Sequence, residues 1–275
     1  MLVSLATAPA RPDRDNEDFA SVTADTMILL DGAGTPAGSE SGCMHGVAWF
    51  ARQLGAQFLA ESAKEPRRPL SLCLSHAIRC VRDSHKDTCD LAHPGTPSST
   101  VVAVRLDADC AEYLVLADSV LLLDVIDGDP VVLTDDREAM VGRPHRVAMD
   151  VLPGGSPEHE KAHREYVETL RKYRNSDGGF WVAASDPLAA DHALTGSMPQ
   201  KSLQAVALLS DGASRLADRF HLTDWAGILR ILRQQTPQEL IRQVRAAEHA
   251  DPRGERWPRG KTYDDATAVY AVMDV

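Results

Sequence analysis

Five places along this chain put acidic side chains in one local setting. Leu29-Leu30-Asp31-Gly32, Val115-Leu116-Ala117-Asp118-Ser119 and Leu208-Leu209-Ser210-Asp211-Gly212 each end an apolar run at an Asp followed by a small residue. Glu17-Asp18 stands just before the run that begins at Phe19, and Asp264-Asp265 just before the one that begins at Ala266. Carboxylates a few ångströms apart raise one another's pKa, so gathering these groups at one place is costly without cations. Hard divalent cations resolve the repulsion, and Mg²⁺ or Mn²⁺ suits a site made of carboxylate, carbonyl and water. Each Asp also reads as an ordinary turn residue after a strand. The residues alone leave a metal centre and a set of turns both open.

The elements around them must bring those ends together. Residues 3–8, 19–22 and 26–30 read as strands, the second and third joined as a hairpin through Thr23-Ala24-Asp25. In an antiparallel pair the start of one strand and the end of its neighbour share an edge, so this hairpin brings Asp18 to Asp31. Strands at 205–209 and 266–273, if they pair antiparallel, bring Asp211 to Asp264 in the same way. Val47, Phe50, Leu54 and Phe58, then Leu70, Leu74, Ala77, Ile78 and Val81, recur at helical spacing and predict two helices lying on a sheet. After the helix-breaking His93-Pro94-Gly95-Thr96-Pro97 come three strand-like runs at 101–106, 112–116 and 120–126. A charged surface helix is expected over 158–173. Two late helices start at Thr223-Asp224 and at Thr236-Pro237-Gln238-Glu239, which has the capping-box pattern with Pro at the first helical position. No repeat, low-complexity linker or composition break divides the chain, so residues 1–275 are expected to form a single domain.

In order, Arg14-Asp15-Asn16-Glu17-Asp18, Asp31-Gly32-Ala33-Gly34, Ser98-Ser99-Thr100, Ala117-Asp118-Ser119, Ser210-Asp211-Gly212 and Asp264-Asp265-Ala266-Thr267 span nearly the whole chain. The ordered set resembles the type 2C metal-dependent protein phosphatases, the PPM family, in their bacterial form. The resemblance implies an α+β fold, a four-layer αββα sandwich of two antiparallel β-sheets flanked by helices. It also implies a centre of two Mn²⁺ or Mg²⁺ ions at one end of the sandwich, with a third ion beside it. By motif position Asp31 bridges the two core ions, Gly32 lends its carbonyl, and Asp211 and Asp264 hold one ion. Glu17 and Asp18 support the other directly or through water, and Asp118 matches the ligand of the third. A metal-bridging hydroxide then attacks phosphorus in line, and no protein nucleophile is needed. The chain indeed offers no GxSxG elbow at Ser210. Arg14 is the candidate phosphate-binding Arg, although it stands one residue closer to the Glu-Asp pair than the family pattern has it. Ala117 replaces the usual Gly before Asp-Ser, and Ala33 stands where eukaryotic members carry a His.

His45, at the start of the first predicted helix, is chemically suited to protonate a leaving group near its ordinary pKa of about 6.5. It reads equally as a helix-start histidine packed on Trp49. Cys43 is expected to be a small buried residue, and the spacings of Cys73, His76, Cys80, His85, Cys89 and His93 match no compact zinc module, so no structural zinc is expected. Arg253, Arg256, Arg259 and Lys261, interleaved with Trp257, either attract a phosphorylated substrate toward Asp264 or form a solvated loop.

An excess of 40 acidic over 29 basic residues opposes nucleic acid or an anionic membrane as partner. Five cysteines without a tight pair suit a reduced, cytoplasmic protein without disulfides. The expected function is hydrolysis of phosphate monoesters, with phosphoserine or phosphothreonine in a protein as first-choice substrate. A phosphorylated small molecule is the second choice, and a non-catalytic binding module of the same fold the third.

Overall fold

Strand residues point alternately to opposite faces, and in the inner strands of this chain both faces are buried. In the computed structural model, which describes residues 1–35 and 40–273, the apolar runs are therefore nearly continuous rather than alternating with polar residues. The first half contains β1 (Leu2–Ala8), β2 (Phe19–Val22), β3 (Thr26–Leu30), β4 (Gly32–Ala33), α1 (Val47–Lys64), α2 (Leu70–His85), β5 (Ser98–Ser99), β6 (Val101–Leu106), β7 (Cys110–Leu116), β8 (Val120–Val125) and β9 (Val131–Leu133). The second contains α3 (Arg137–Asp150), α4 (Pro157–Arg171), β10 (Leu194–Pro199), β11 (Leu203–Leu209), α5 (Asp211–Asp218), α6 (Trp225–Gln234), α7 (Pro237–Ala250) and β12 (Ala266–Val272).

Two five-stranded antiparallel sheets result, in the orders β1-β12-β11-β8-β9 and β10-β7-β6-β3-β2, with β4 and β5 as a short separate pair. Met27 and Leu29 of β3, Val102 and Val104 of β6, Leu121 and Leu123 of β8 and Val206 and Leu208 of β11 meet between the sheets. The alternate residues Ile28, Leu30, Val101 and Ala103 face Phe50, Leu54 and Phe58 of α1 and Leu74 and Ile78 of α2. On the far side Leu122, Ala207, Leu209 and Ala268 pack against Leu216, Ile228, Leu232, Leu240 and Val244 of α5 to α7. This is the helix-sheet-sheet-helix sandwich expected from the motifs.

Both late helices cap as the sequence predicts: Asp224 accepts from Gly227 N at 2.7 Å and Thr236 from Glu239 N at 3.1 Å. Of the elements named above, the two-residue strands β4 and β5 and four others were not foreseen. β9 is short, β10 ends in Pro199 at a sheet edge, α3 carries Pro144 and exposes Met140 and Val147, and α5 begins directly at Asp211. Of these four only α5 carries an apolar period, at Ala213, Leu216 and Ala217, and it is too brief to read as a helix from sequence. Among the described residues no helix is long and apolar enough to cross a membrane.

Candidate active site

The strand registers gather the acidic groups at one edge. Phe19 pairs with Leu30, which leaves Asp18 and Asp31 side by side just past the hairpin's open end. Leu209 pairs with Ala268, and the ladder continues through Ser210 N to Thr267 O at 3.0 Å and Thr267 N to Ser210 Oγ at 2.9 Å. Asp211 is thereby the first residue of α5, and its N–H donates to Asp31 Oδ2 at 3.3 Å, tying one sheet edge to the other. The positive end of a helix favours a carboxylate there. The Asp31 backbone is clamped by Thr100, whose N–H reaches the Asp31 carbonyl at 2.9 Å and whose hydroxyl accepts the Asp31 N–H at 3.1 Å. Ser99 Oγ donates to the same carbonyl at 2.9 Å, and Gly32 follows in register with Ser99.

Asp264 and Asp265 divide the work at the start of β12. Asp265 accepts Ala10 N at 2.6 Å and Glu17 N at 2.7 Å, which fastens the segment carrying Arg14, Glu17 and Asp18 to the cluster. A Cβ on Gly212 would collide with the Asp265 carbonyl, so α5 starts this close to β12 only with glycine there. Asp264 instead faces cations: Lys261 Nζ lies 2.7 Å from Oδ1 and Arg215 donates to Oδ2 at 3.0 Å. Buried Arg215 also pairs with Glu248 at 2.5 Å, and Arg245 links Glu248 at 2.7 Å to the Asp264 carbonyl at 2.6 Å.

Burial pushes Asp31 well above the ordinary carboxylate range, and the charges of Asp18, Asp211 and Asp264 push it further. Burial raises Asp18 to about 7, with Asp265 and Asp211 adding to the shift. The Thr267 and Ser210 hydroxyls beside Asp18 pull the other way without closing a hydrogen bond onto either oxygen. Glu17 and Asp211 are raised, first by burial. Asp264 alone ends below its usual value, because Lys261 and Arg215 together outweigh its burial. Both carboxylate oxygens of Asp18 and Oδ1 of Asp211 are buried without a hydrogen-bond partner. Unpaired buried anionic oxygens are expensive, and a set of them with a nearby carbonyl is the donor chemistry of Mg²⁺ or Mn²⁺.

Asp118 lies at a second acidic group that the sequence did not reveal. Its carboxyl is raised well above the usual range by burial, then by Glu138 and Asp211. Glu138, on α3, is itself pushed up to about 7 by burial and then by Asp211. Asp211 thus belongs to both groups. Ala117, immediately before Asp118, has φ +68°, the left-handed backbone that glycine occupies without strain. The Ala-for-Gly departure seen in the motif therefore stores strain of order 1 kcal/mol beside a candidate ligand.

The remaining candidates fall elsewhere. Arg14 is exposed on the turn closed by its own N–H to Arg11 O at 3.1 Å, near enough for its charge to stabilise the Glu17 carboxylate. His45 stacks on Trp49 at 4.2 Å between ring centroids, as the packing reading had it, and its Nδ1 faces Cys43 and Cys89. It enters no contact with the carboxylates among the described residues. Arg259 is not part of a substrate-attracting loop: its side chain is 3% exposed, pairs with Asp251 at 3.1 Å and donates to the Thr262 carbonyl at 3.0 Å. Arg256 lies over the Trp257 ring at 4.3 Å. Of the four loop cations, Lys261 is the one placed at the cluster.

A double antiparallel sandwich with carboxylates converging at one edge offers the donor set of a divalent-metal centre. The sequence matches the family described as protein phosphatase 2C over residues 11–245, and the chain belongs to that family. It is accordingly a hydrolase, a metal-dependent protein phosphatase of type 2C. No curated protein matches the sequence. Among solved structures, the fold is similar to the Mycobacterium tuberculosis serine/threonine phosphatase PstP/Ppp, with 16% identity, TM-score 0.61, and 100% of this chain and 99% of that one covered. The PstP catalytic domain in complex with two manganese ions aligns at 17% identity and TM-score 0.57, covering 99% and 98%. Stp1 from Staphylococcus aureus aligns at 13% identity and TM-score 0.59, covering 99% and 95%. At such identities these likenesses establish the fold.

Proposed function

We propose that Asp31, Asp211 and Asp264, with the Gly32 carbonyl, Glu17 and Asp18, hold two Mn²⁺ or Mg²⁺ ions, and that Asp118 holds a third with Glu138. The substrate is phosphoserine or phosphothreonine on a protein, and residues 1–275 act as one phosphatase domain in which β1 pairs with β12. The observation that carries this reading is the set of buried, unpartnered oxygens on Asp18 and Asp211 beside Asp31.

When bound, the cations supply Lewis acidity, activating water toward phosphorus and neutralising charge on the phosphoryl oxygens. The chain's own residues prepare that place. Thr100 and Ser99 fix the Asp31 backbone, the α5 N-terminus orients Asp211, and Lys261 with Arg215 keeps Asp264 ionised. Lys261, with its side chain half exposed, also offers positive charge to an arriving phosphate, and Arg14 stands exposed near Glu17 to do the same.

The test is turnover of a phosphopeptide, an aryl phosphate and a panel of phosphorylated metabolites with Mn²⁺, Mg²⁺ or chelator. The proposal expects metal-dependent turnover with the highest kcat/KM on the phosphopeptide. Full activity in metal-free protein, or a metabolite preferred over the peptide, contradicts it.

A further inference from the structure

Cys43, His45, His85 and Cys89 come from two stretches of chain, the approach to α1 and the end of α2, yet one ligand atom from each lies within 4.8 Å of all the others. Cys89 Sγ is 3.5 Å from Cys43 Sγ and 3.4 Å from His45 Nδ1, and Cys43 Sγ is 3.8 Å from the same nitrogen. Zinc bonds of about 2.3 Å to sulfur and about 2.0–2.1 Å to nitrogen give tetrahedron edges of about 3.8 Å and 3.6 Å. The observed separations are those edges to within a few tenths of an ångström.

A second observation points to a ligand. His85 is 4% exposed, and its Nδ1 is buried without a hydrogen-bond partner. A buried imidazole nitrogen left unpaired costs on the order of 1–3 kcal/mol. We propose that Cys43, His45, His85 and Cys89 form a tetrahedral Cys₂His₂ zinc site, separate from the carboxylate cluster.

The surroundings hold the ligands in place without the metal. Asp90 N donates to Gly42 O at 2.8 Å, joining the two stretches, and Gly42, at φ +68°, has no room for a Cβ beside His93 and the Asp90 carbonyl. Cys89 N and Thr88 Oγ1 both donate to the His85 carbonyl at 3.1 Å, which turns Cys89 back toward α2. Trp49 stacks on His45 at 4.2 Å and on His85 at 5.1 Å, fixing both rings. Two thiolates and two imidazoles select zinc over the hard cations of the carboxylate site. Binding Zn²⁺ forms two Zn–S and two Zn–N bonds and releases one proton from each thiol to solvent. The bound ion staples the chain leading out of Asp31-Gly32 to the end of α2, and it takes His45 out of the role of proton donor. The sequence expectation of no zinc rested on spacing and sought a compact module, whereas helix packing assembles this cluster.

The test uses the purified full chain, dialysed against excess Mn²⁺ and then analysed for metals. About one zinc per chain is expected to survive. Co²⁺ added after zinc removal should give the intense thiolate-to-metal absorption and strong visible bands of tetrahedral cobalt, which oxygen ligands at the carboxylate site do not produce. Cys43→Ser with Cys89→Ser should drop zinc below ~0.1 per chain and abolish the thiolate bands, whereas Cys73→Ser with Cys110→Ser should keep both. The proposal is overturned if the unmutated protein retains no zinc and gives no cobalt–thiolate absorption. A Cys43–Cys89 disulfide in metal-free protein freshly isolated under reducing conditions would overturn it as well. Because the cobalt spectrum is read on the unmutated chain, misfolding of a variant cannot decide the outcome.

Discussion

Asp265 Oδ2 accepts the backbone N–H of Glu17 at 2.7 Å, across 248 positions of sequence. Its other oxygen accepts Ala10 N at 2.6 Å, so one carboxylate anchors both ends of the loop that carries Arg14. Asp265→Ala removes two charge-assisted hydrogen bonds and should cost about 2–4 kcal/mol of stability, with Asp265→Asn intermediate. The same change should weaken Mn²⁺ binding, because Glu17 and Asp18 lose their anchor. Urea unfolding of metal-free protein and a Mn²⁺ titration check both, and unchanged values in Asp265→Ala would show that the loop is held by other means.

The raised acids set a pH dependence whose sign differs between metal-free and metal-loaded protein. Asp18 and Glu138 titrate at about 7 when folded, against ordinary values of 3.8 and 4.5. Between those limits the unfolded chain has released protons that the folded chain still holds. Their contribution to metal-free stability therefore falls as pH rises through that window and levels off above about 7. Mn²⁺ binds the deprotonated form, so the stabilisation it confers should grow through the same window. Melting temperatures at about pH 5 and pH 8, with and without Mn²⁺, test this. The metal-free decline should be shallower in Asp18→Asn, and an identical pH profile in that variant would contradict the assignment.

Two basic residues only two positions apart should behave oppositely. Arg259→Gln breaks a buried ion pair with Asp251 and should destabilise the fold by about 3–5 kcal/mol while leaving KM unchanged. Lys261→Gln removes a cation that competes for Asp264, so Mn²⁺ should bind about threefold to tenfold tighter. KM for the phosphopeptide should rise and lose part of its salt dependence. Equal effects of the two substitutions on KM would return both to a common substrate-attracting loop.

The sequence made the Asp18–Asp31 meeting legible because a hairpin is local information, whereas the Asp211–Asp264 meeting followed only on the condition that two apolar runs distant in sequence pair antiparallel, as β11 and β12 do. The two-sided burial of β3, β6 and β11 was legible in the same way, as continuous apolar runs. Glu138 was not, because α3 shows no apolar stripe and its approach to Asp118 is set by how α3 packs. Nor was the Arg215–Glu248 pair beneath Asp264, which joins two helices 33 positions apart. The Cys43–His45–His85–Cys89 cluster depends on α1 lying against α2 with one particular offset, and periodicity predicts the packing face but not that offset. Arg259 looked like a surface cation because burial of a charge in a Gly- and Pro-rich loop depends wholly on the partner folded over it.

We propose that Asp31 serves both core ions whereas Asp118 serves only an outer one. Calorimetric Mn²⁺ titration beside steady-state kinetics on Asp31→Asn and Asp118→Asn tests it most directly. Asp118→Asn should keep two tight ions and lose about 10² to 10³ in kcat, roughly 3–4 kcal/mol of transition-state stabilisation. Asp31→Asn should lose core metal occupancy and nearly all turnover together, since it removes the charge placed among Asp18, Asp211 and Asp264. Two tightly bound ions and near-normal kcat in Asp31→Asn would contradict the account at its central residue.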